Sequence, residues 1–205
     1  MSIRVRPAAR LVQLITGQAL FGASMALMVR GQLGLNPWDV LHQGLAGHLG
    51  WTFGNITALT GVVVLMLWLP LRQRPGLGTL TNVIVIALTV DAVLATVPPM
   101  TTLPSQIVLL ASGVVLNGFA TAVYVGARLG PGPRDGLFTG LHARTGWPVR
   151  IVRTGIEIVV LAAGWLLGGT IGVGTVLFAL AIGPLTQLFL PFTTVRGPAP
   201  TSVDA

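Results

Sequence analysis

Six side chains in this sequence have the type and setting to bind or relay a charged solute: Asp39, Asp91, Asp135, Arg153, Glu157 and Gln187. All lie within or beside long apolar runs, where an ionisable group costs ~2.5–3.5 kcal/mol at mid-helix and normally serves a function. Arg153 and Glu157 stand four residues apart, which puts them on one helix face as an ion pair. That pair is either a structural partnership near a helix end or part of a solute path. Asp91 and Gln187 are separated by 96 residues, and so are Asp39 and Asp135.

No catalytic constellation accompanies them. His42, His48 and His142 lack metal-ligand spacing, and no serine sits in G-x-S-x-G. Gly76-Leu77-Gly78-Thr79 lacks the G-K-[ST] of a phosphate loop and reads as a tight turn. The chain has no Cys, which excludes disulfides, thiolate metal sites and thiol catalysis. Neither a metal, a cofactor nor an enzymatic activity is expected.

The elements that must position these groups follow from an internal repeat, which has to be recognised before any fold is assigned. Leu33-Gly34-Leu35-Asn36-Pro37-Trp38-Asp39, running on to Gly50-Trp51, recurs as Leu129-Gly130-Pro131-Gly132-Pro133-Arg134-Asp135, running on to Gly146-Trp147. Nine of nineteen positions are identical without a gap. Gly17 and Gly22 fall on Gly113 and Gly118, and Gly76–Thr79 falls on Gly172–Thr175. The glycine pairs at 17, 22, 113 and 118 are expected to let helices approach closely.

Composition decides the class. The chain is 53% hydrophobic and 8% charged, with a mean hydropathy of +0.83. A soluble domain carries roughly 25% charged residues, so a water-facing surface cannot be built and the bilayer is the first partner. Six apolar stretches approach the ~20 residues that cross a bilayer: roughly 11–29, 54–71, 79–97, 106–127, 151–169 and 173–191. The first resembles a signal sequence, but its repeat partner cannot be one, so it reads as a retained span. The net charge of +7 does not indicate nucleic acid, because the arginines are dispersed between apolar runs. Ten of the twelve, including Arg4, Arg6, Arg10, Arg144 and Arg196, fall on one side of a six-span topology. The positive-inside rule makes that side, with both termini, cytoplasmic.

The expected fold is all-α: six transmembrane helices as two inverted-topology three-helix repeats, at 11–97 and 106–191. A cytoplasmic N-terminus (1–10) and a disordered tail (192–205) flank them. Three spans per unit is an odd number, so the second copy enters from the opposite face, as in many secondary transporters. Each motif starts a short helix after the first span of its unit. Asn36 or Gly132 is the N-cap, Pro37 or Pro133 the first helical residue, and Asp39 or Asp135 the acid in the first turn. Trp38 and Arg134 occupy corresponding places. These helices are either amphipathic and interfacial or re-entrant.

The stretches Gly34–Gly44, Gly130–Leu137, Val152–Glu157 and Gly168–Phe178, with Ile182-Gly183-Pro184-Leu185-Thr186-Gln187, carry a resemblance. From about residue 11 to 192 the chain resembles the YczE/YyaS/YitT group of bacterial integral membrane proteins, nearest the YczE type. The third span departs from it, with Ala87-Leu88 where Gly-Pro is expected before Asp91. The resemblance implies a multi-pass inner-membrane protein and carries over no functional residues. The expected activity is secondary transport or export of a small molecule by alternating access. Asp39 and Asp135 would sit at the mouths, Asp91 and Gln187 mid-membrane, and Arg153 with Glu157 would gate or couple. The alternative is a scaffold docking a cytoplasmic partner through loop 128–150; a homodimer is compatible with either.

Overall fold

The computed structural model describes residues 7–195, so the expectations for Arg4, Arg6, Arg196 and the tail beyond 195 fall outside the described residues. Eight helices follow in order: α1 Pro7–Gly31, α2 Pro37–Leu49, α3 Phe53–Leu71, α4 Leu77–Thr96, α5 Leu103–Gly126, α6 Pro133–Thr145, α7 Val149–Leu166 and α8 Val173–Thr193. There is no strand among the described residues. Every helix of the second group of four starts 96 residues after its counterpart in the first.

The local signals act as their chemistry requires. The Asn36 side chain accepts from Asp39 N at 3.0 Å, and Pro37 opens α2 where a missing N–H costs nothing. Gly50 (φ +68°) and Gly146 (φ +74°) end α2 and α6 in the left-handed region, which a glycine enters without strain. Trp51 and Trp147 follow, both exposed.

Five helices are long and apolar enough to cross a membrane: α1, α3, α4, α5 and α8. The stretch expected as the fifth span is helical, as α7, 18 residues long, but Arg150, Arg153 and Glu157 in so short a segment keep it out of that set. The homologous α3 carries no charge.

Packing is centred on α1 and α5, which run antiparallel. Arg10, at the start of α1, is buried and donates to the carbonyls of Ala127 and Arg128 beyond the end of α5, each at 2.9 Å. Further along, Asn117 Nδ2 donates to Ser24 Oγ at 2.8 Å. The four glycines lie at close helix contacts. A Cβ on Gly17 would stand 2.6 Å from Tyr124 N, and one on Gly113 2.8 Å from Met28 Cγ, both across α1–α5. One on Gly22 would meet the Ile86 carbonyl of α4 at 2.8 Å, and one on Gly118 would meet Leu185 Cβ of α8 at 2.6 Å. Thus α4, α1, α5 and α8 form a wall, with α3 packed on α4. The short helices bridge the opposite side: α2 packs mainly on α7, and α6 mainly on α3.

This exchange between halves is clamped by backbone. Gly174 N donates to Leu33 O at 2.8 Å, and Gly78 N to Leu129 O at 2.9 Å. The G-x-G-T segments, expected only to turn the chain, therefore dock the motif loop of the other half. Gly34 (φ +115°) and Gly130 (φ +123°) supply the backbone conformation that this docking needs.

Candidate functional site

A cavity of about 290 Å³ lies where the two short helices begin. Asn36, Pro37 and Trp38 at the start of α2 and Gly132, Pro133, Arg134 and Asp135 at the start of α6 line it from opposite halves. The wall is completed by Phe21 of α1, Asn82 and Ile86 of α4, and Asn117, Thr121 and Tyr124 of α5. From α7 come Arg153 and Glu157, and from α8 Phe178, Ile182, Gly183, Thr186 and Gln187. Both helix starts present first-turn amides and the positive end of a helix dipole.

The charges are arranged unequally. Arg153 Nε donates to Glu157 Oε1 at 2.9 Å, so this pair forms as its spacing predicts. Arg153 also lies 5.9 Å from the Phe138 ring. Tyr124 donates its hydroxyl to Asp135 Oδ2 at 3.2 Å. Arg134 stacks 4.8 Å from the centre of the Trp38 ring, across the junction of the halves, and makes no hydrogen bond or salt bridge among the described residues.

Two further polar atoms of lining residues have no partner. They are Nε1 of Trp38, which is 6% exposed, and Oδ1 of Asn117, which is 1% exposed. Buried polar atoms left unpaired in native structures call for a specific reason, such as an absent ligand or water.

Asp39 and Asp91 are placed elsewhere. Asp39 is fully buried, takes Asn36 Nδ2 and lies 3.2 Å from His42 Nδ1. His42 also approaches Thr57 Oγ1 at 3.2 Å. Asp39 therefore belongs to the packing that holds the start of α2. Asp91 accepts from Gly54 N at 2.7 Å, latching the start of α3 onto α4. Gln187, its counterpart, lines the cavity instead.

That difference extends along both helix pairs. On α3, Gly54 and Gly61 face α4: a Cβ on Gly54 would stand 2.2 Å from Ala87 O, and one on Gly61 3.0 Å from Val83. Ninety-six residues on, α7 carries Arg150 and Glu157 at these places. Unlike α3 and α4, α7 and α8 are not packed against each other to any comparable extent, and a Cβ on Gly183 would meet nothing. The signal was legible as two glycines exchanged for two charges, seven residues apart on one helix face.

A family profile described as "Family of unknown function (DUF6198)" matches residues 8–191. An "Uncharacterized protein" of Haemophilus influenzae is 42% identical over 86% of this chain and 81% of its own length. The "Uncharacterized membrane protein YczE" of Bacillus subtilis is 36% identical over 85% of this chain and 82% of its own. "Uncharacterized protein YyaS" of the same organism is 27% identical over 85% and 89%. The YczE-type resemblance carried by the motifs is thereby met. No solved structure matches.

Proposed function

The chain belongs to the DUF6198 family, and we propose that it is a secondary transporter or exporter of a small molecule, alternating between two inverted halves. The observation that carries this reading is the charged cavity at the junction of the α2 and α6 starts, one from each half. Discontinuous helices whose N-termini converge on a cavity are a recurrent way to hold a solute within a membrane. In this reading α2 and α6 are re-entrant and α7 completes six spans. Its Arg153 and Glu157 are tolerated because they face the cavity.

Element bounds that recur at 96 residues and the antiparallel α1 and α5 support the inverted repeat. Arg10 and Arg128 meet at one end of the bundle, while Arg30 caps the other, where it donates to Leu94 O. The Arg10 end is cytoplasmic by the positive-inside rule. Alternation works through the closed pair: α3–α4 is shut in this state and parts in the opposite-facing one. Gly183-Pro184 in α8 supplies a bending point, since proline removes a helix hydrogen bond.

The test uses a Thr121→Cys variant, on the cavity wall. An alternating transporter is labelled by an impermeant maleimide from either face of oriented vesicles. A scaffold with a fixed opening is labelled from one face only, and that result would remove the proposal.

A further inference from the structure

We infer that the gap between α7 and α8 is a lateral portal, and that the solute is an amphiphile whose anionic head occupies the cavity while its apolar chain lies between these helices. The inference rests on the transport reading above and names its substrate class.

The portal follows from the order of packing. Helices α3, α4, α1, α5 and α8 are joined in sequence, and α2 and α6 tie α3 to α7. Among the described residues the α7–α8 pair is the place where this ring is not packed shut, and residues of both helices line the cavity there. A gap between two peripheral helices of a membrane bundle opens into lipid, not into water. Their outer faces agree with that setting: Ile158 and Val159 on α7 and Leu180 and Leu188 on α8 are apolar and exposed. The gap is written into the chain. Arg150 and Glu157 stand where Gly54 and Gly61 let α3 close on α4, and closing α7 on α8 would force these charges out of solvent or cavity.

The headgroup chemistry follows from what is unpaired. Glu157 is paired with Arg153 and Asp135 accepts from Tyr124, whereas Arg134 makes no hydrogen bond or salt bridge among the described residues, although the Asp135 carboxylate shares the cavity with it. Trp38 Nε1 is a second donor without an acceptor, buried at the same junction. With the positive dipole ends of α2 and α6, these donors suit a phosphate or carboxylate. Asn117 Oδ1 is left to accept from a hydroxyl of the same head. A water-soluble anion would use the same donors but has no need of an opening into lipid.

The experiment places the full chain in phosphatidylcholine vesicles doped with phosphatidylglycerol that carries a diazirine in its acyl chain. Adducts are mapped after illumination. They are expected on α7 and α8 around Gly155 and Gly183, and excess unlabelled phosphatidylglycerol should compete them away while glycerol phosphate should not. Arg134→Gln should lower them about tenfold, the loss of one charge-assisted hydrogen bond. Gly183→Leu, whose Cβ meets nothing, should lower them by plugging the gap. Adducts spread evenly over all outward faces and indifferent to both substitutions would overturn the inference. So would competition by glycerol phosphate, which assigns the cavity to a soluble anion. Disulfide dimers of Gly183→Cys would overturn it too, since a second copy would then cover the gap. Thr121→Cys accessibility, measured on the same vesicles, separates the two claims: labelling from both faces without portal adducts removes the amphiphile and leaves transport standing.

Discussion

Adding one methyl group at Gly54 is expected to prise α3 from α4. A Cβ there would stand 2.2 Å from the Ala87 carbonyl and 2.6 Å from the Asp91 carboxyl, and real contacts of this kind are essentially never under 3.0 Å. The carbonyl is helix backbone and cannot rotate away, so α3 must retreat by about 1 Å to reach ordinary contact. That retreat stretches the 2.7 Å bond from Gly54 N to Asp91 beyond hydrogen-bonding range. Overpacking costs ~1–3 kcal/mol and a hydrogen bond to a charged group ~1.5–3 kcal/mol. Taking the lower ends together, the closed arrangement loses about 2.5 kcal/mol, a shift of more than fiftyfold in the ratio of closed to open. The assay is the maleimide labelling rate of a Val83→Cys reporter, whose side chain Gly61 covers. Gly54→Ala should raise that rate by at least tenfold. Gly155→Ala is the control, because its Cβ meets nothing and it should leave labelling unchanged. If Gly54→Ala labels and melts like the parent, the α3–α4 latch is not a closed state and the helix-pair asymmetry has no mechanical meaning.

Other positions separate structure from function. Glu157→Gln breaks a part-exposed pair worth only ~0–1 kcal/mol, so membrane abundance should hold while transport is lost; disappearance from the membrane would make the pair structural. Asn36→Ala removes the cap of α2 and should cost ~1–2 kcal/mol, read as a lower melting temperature in detergent; Gly132 offers no side-chain cap, so Gly132→Asn should not destabilise α6. Trp68→Phe deletes the 2.9 Å bond from the indole N–H to Pro133 O and should cost ~1–3 kcal/mol, again in melting temperature. An equal stability for parent and variant would mean that α6 is not held through that carbonyl.

Most helix boundaries were legible because the chain states them twice. Asn36-Pro37 and Gly132-Pro133 start the short helices, and Gly50 and Gly146 end them, as their capping chemistry requires. The close-packing glycines were legible for the same reason, though not their partners. What the sequence did not reveal was which half each element would pack on. The cross-docking of Gly174 on Leu33 and of Gly78 on Leu129 joins residues far apart in the chain, and no local periodicity encodes it. Asp39 and Asp135 have matching surroundings in sequence and different fates. His42, three residues on, draws Asp39 into the core, whereas the second copy has Phe138 at that place and leaves Asp135 to Tyr124 and the cavity. Asp91 and Gln187 diverge for a similar reason. Gly54 brings a backbone N–H to Asp91, and the bulk of Arg150 prevents the same approach to Gln187.

The central claim is that two halves of opposite topology enclose the cavity, and the absence of cysteine gives it a direct test. Gln43 is a poor reporter because its side chain accepts from Thr170 N at 2.7 Å. Gly47, where an added Cβ meets nothing, and the exposed Ala143 occupy the same place in the two units. Each is replaced singly by Cys, and intact cells are treated with a membrane-impermeant maleimide. The account predicts labelling of the Gly47→Cys variant in intact cells and of the Ala143→Cys variant only after lysis. Labelling of both from outside would put α2 and α6 on one face and contradict the inverted repeat on which the transport reading stands.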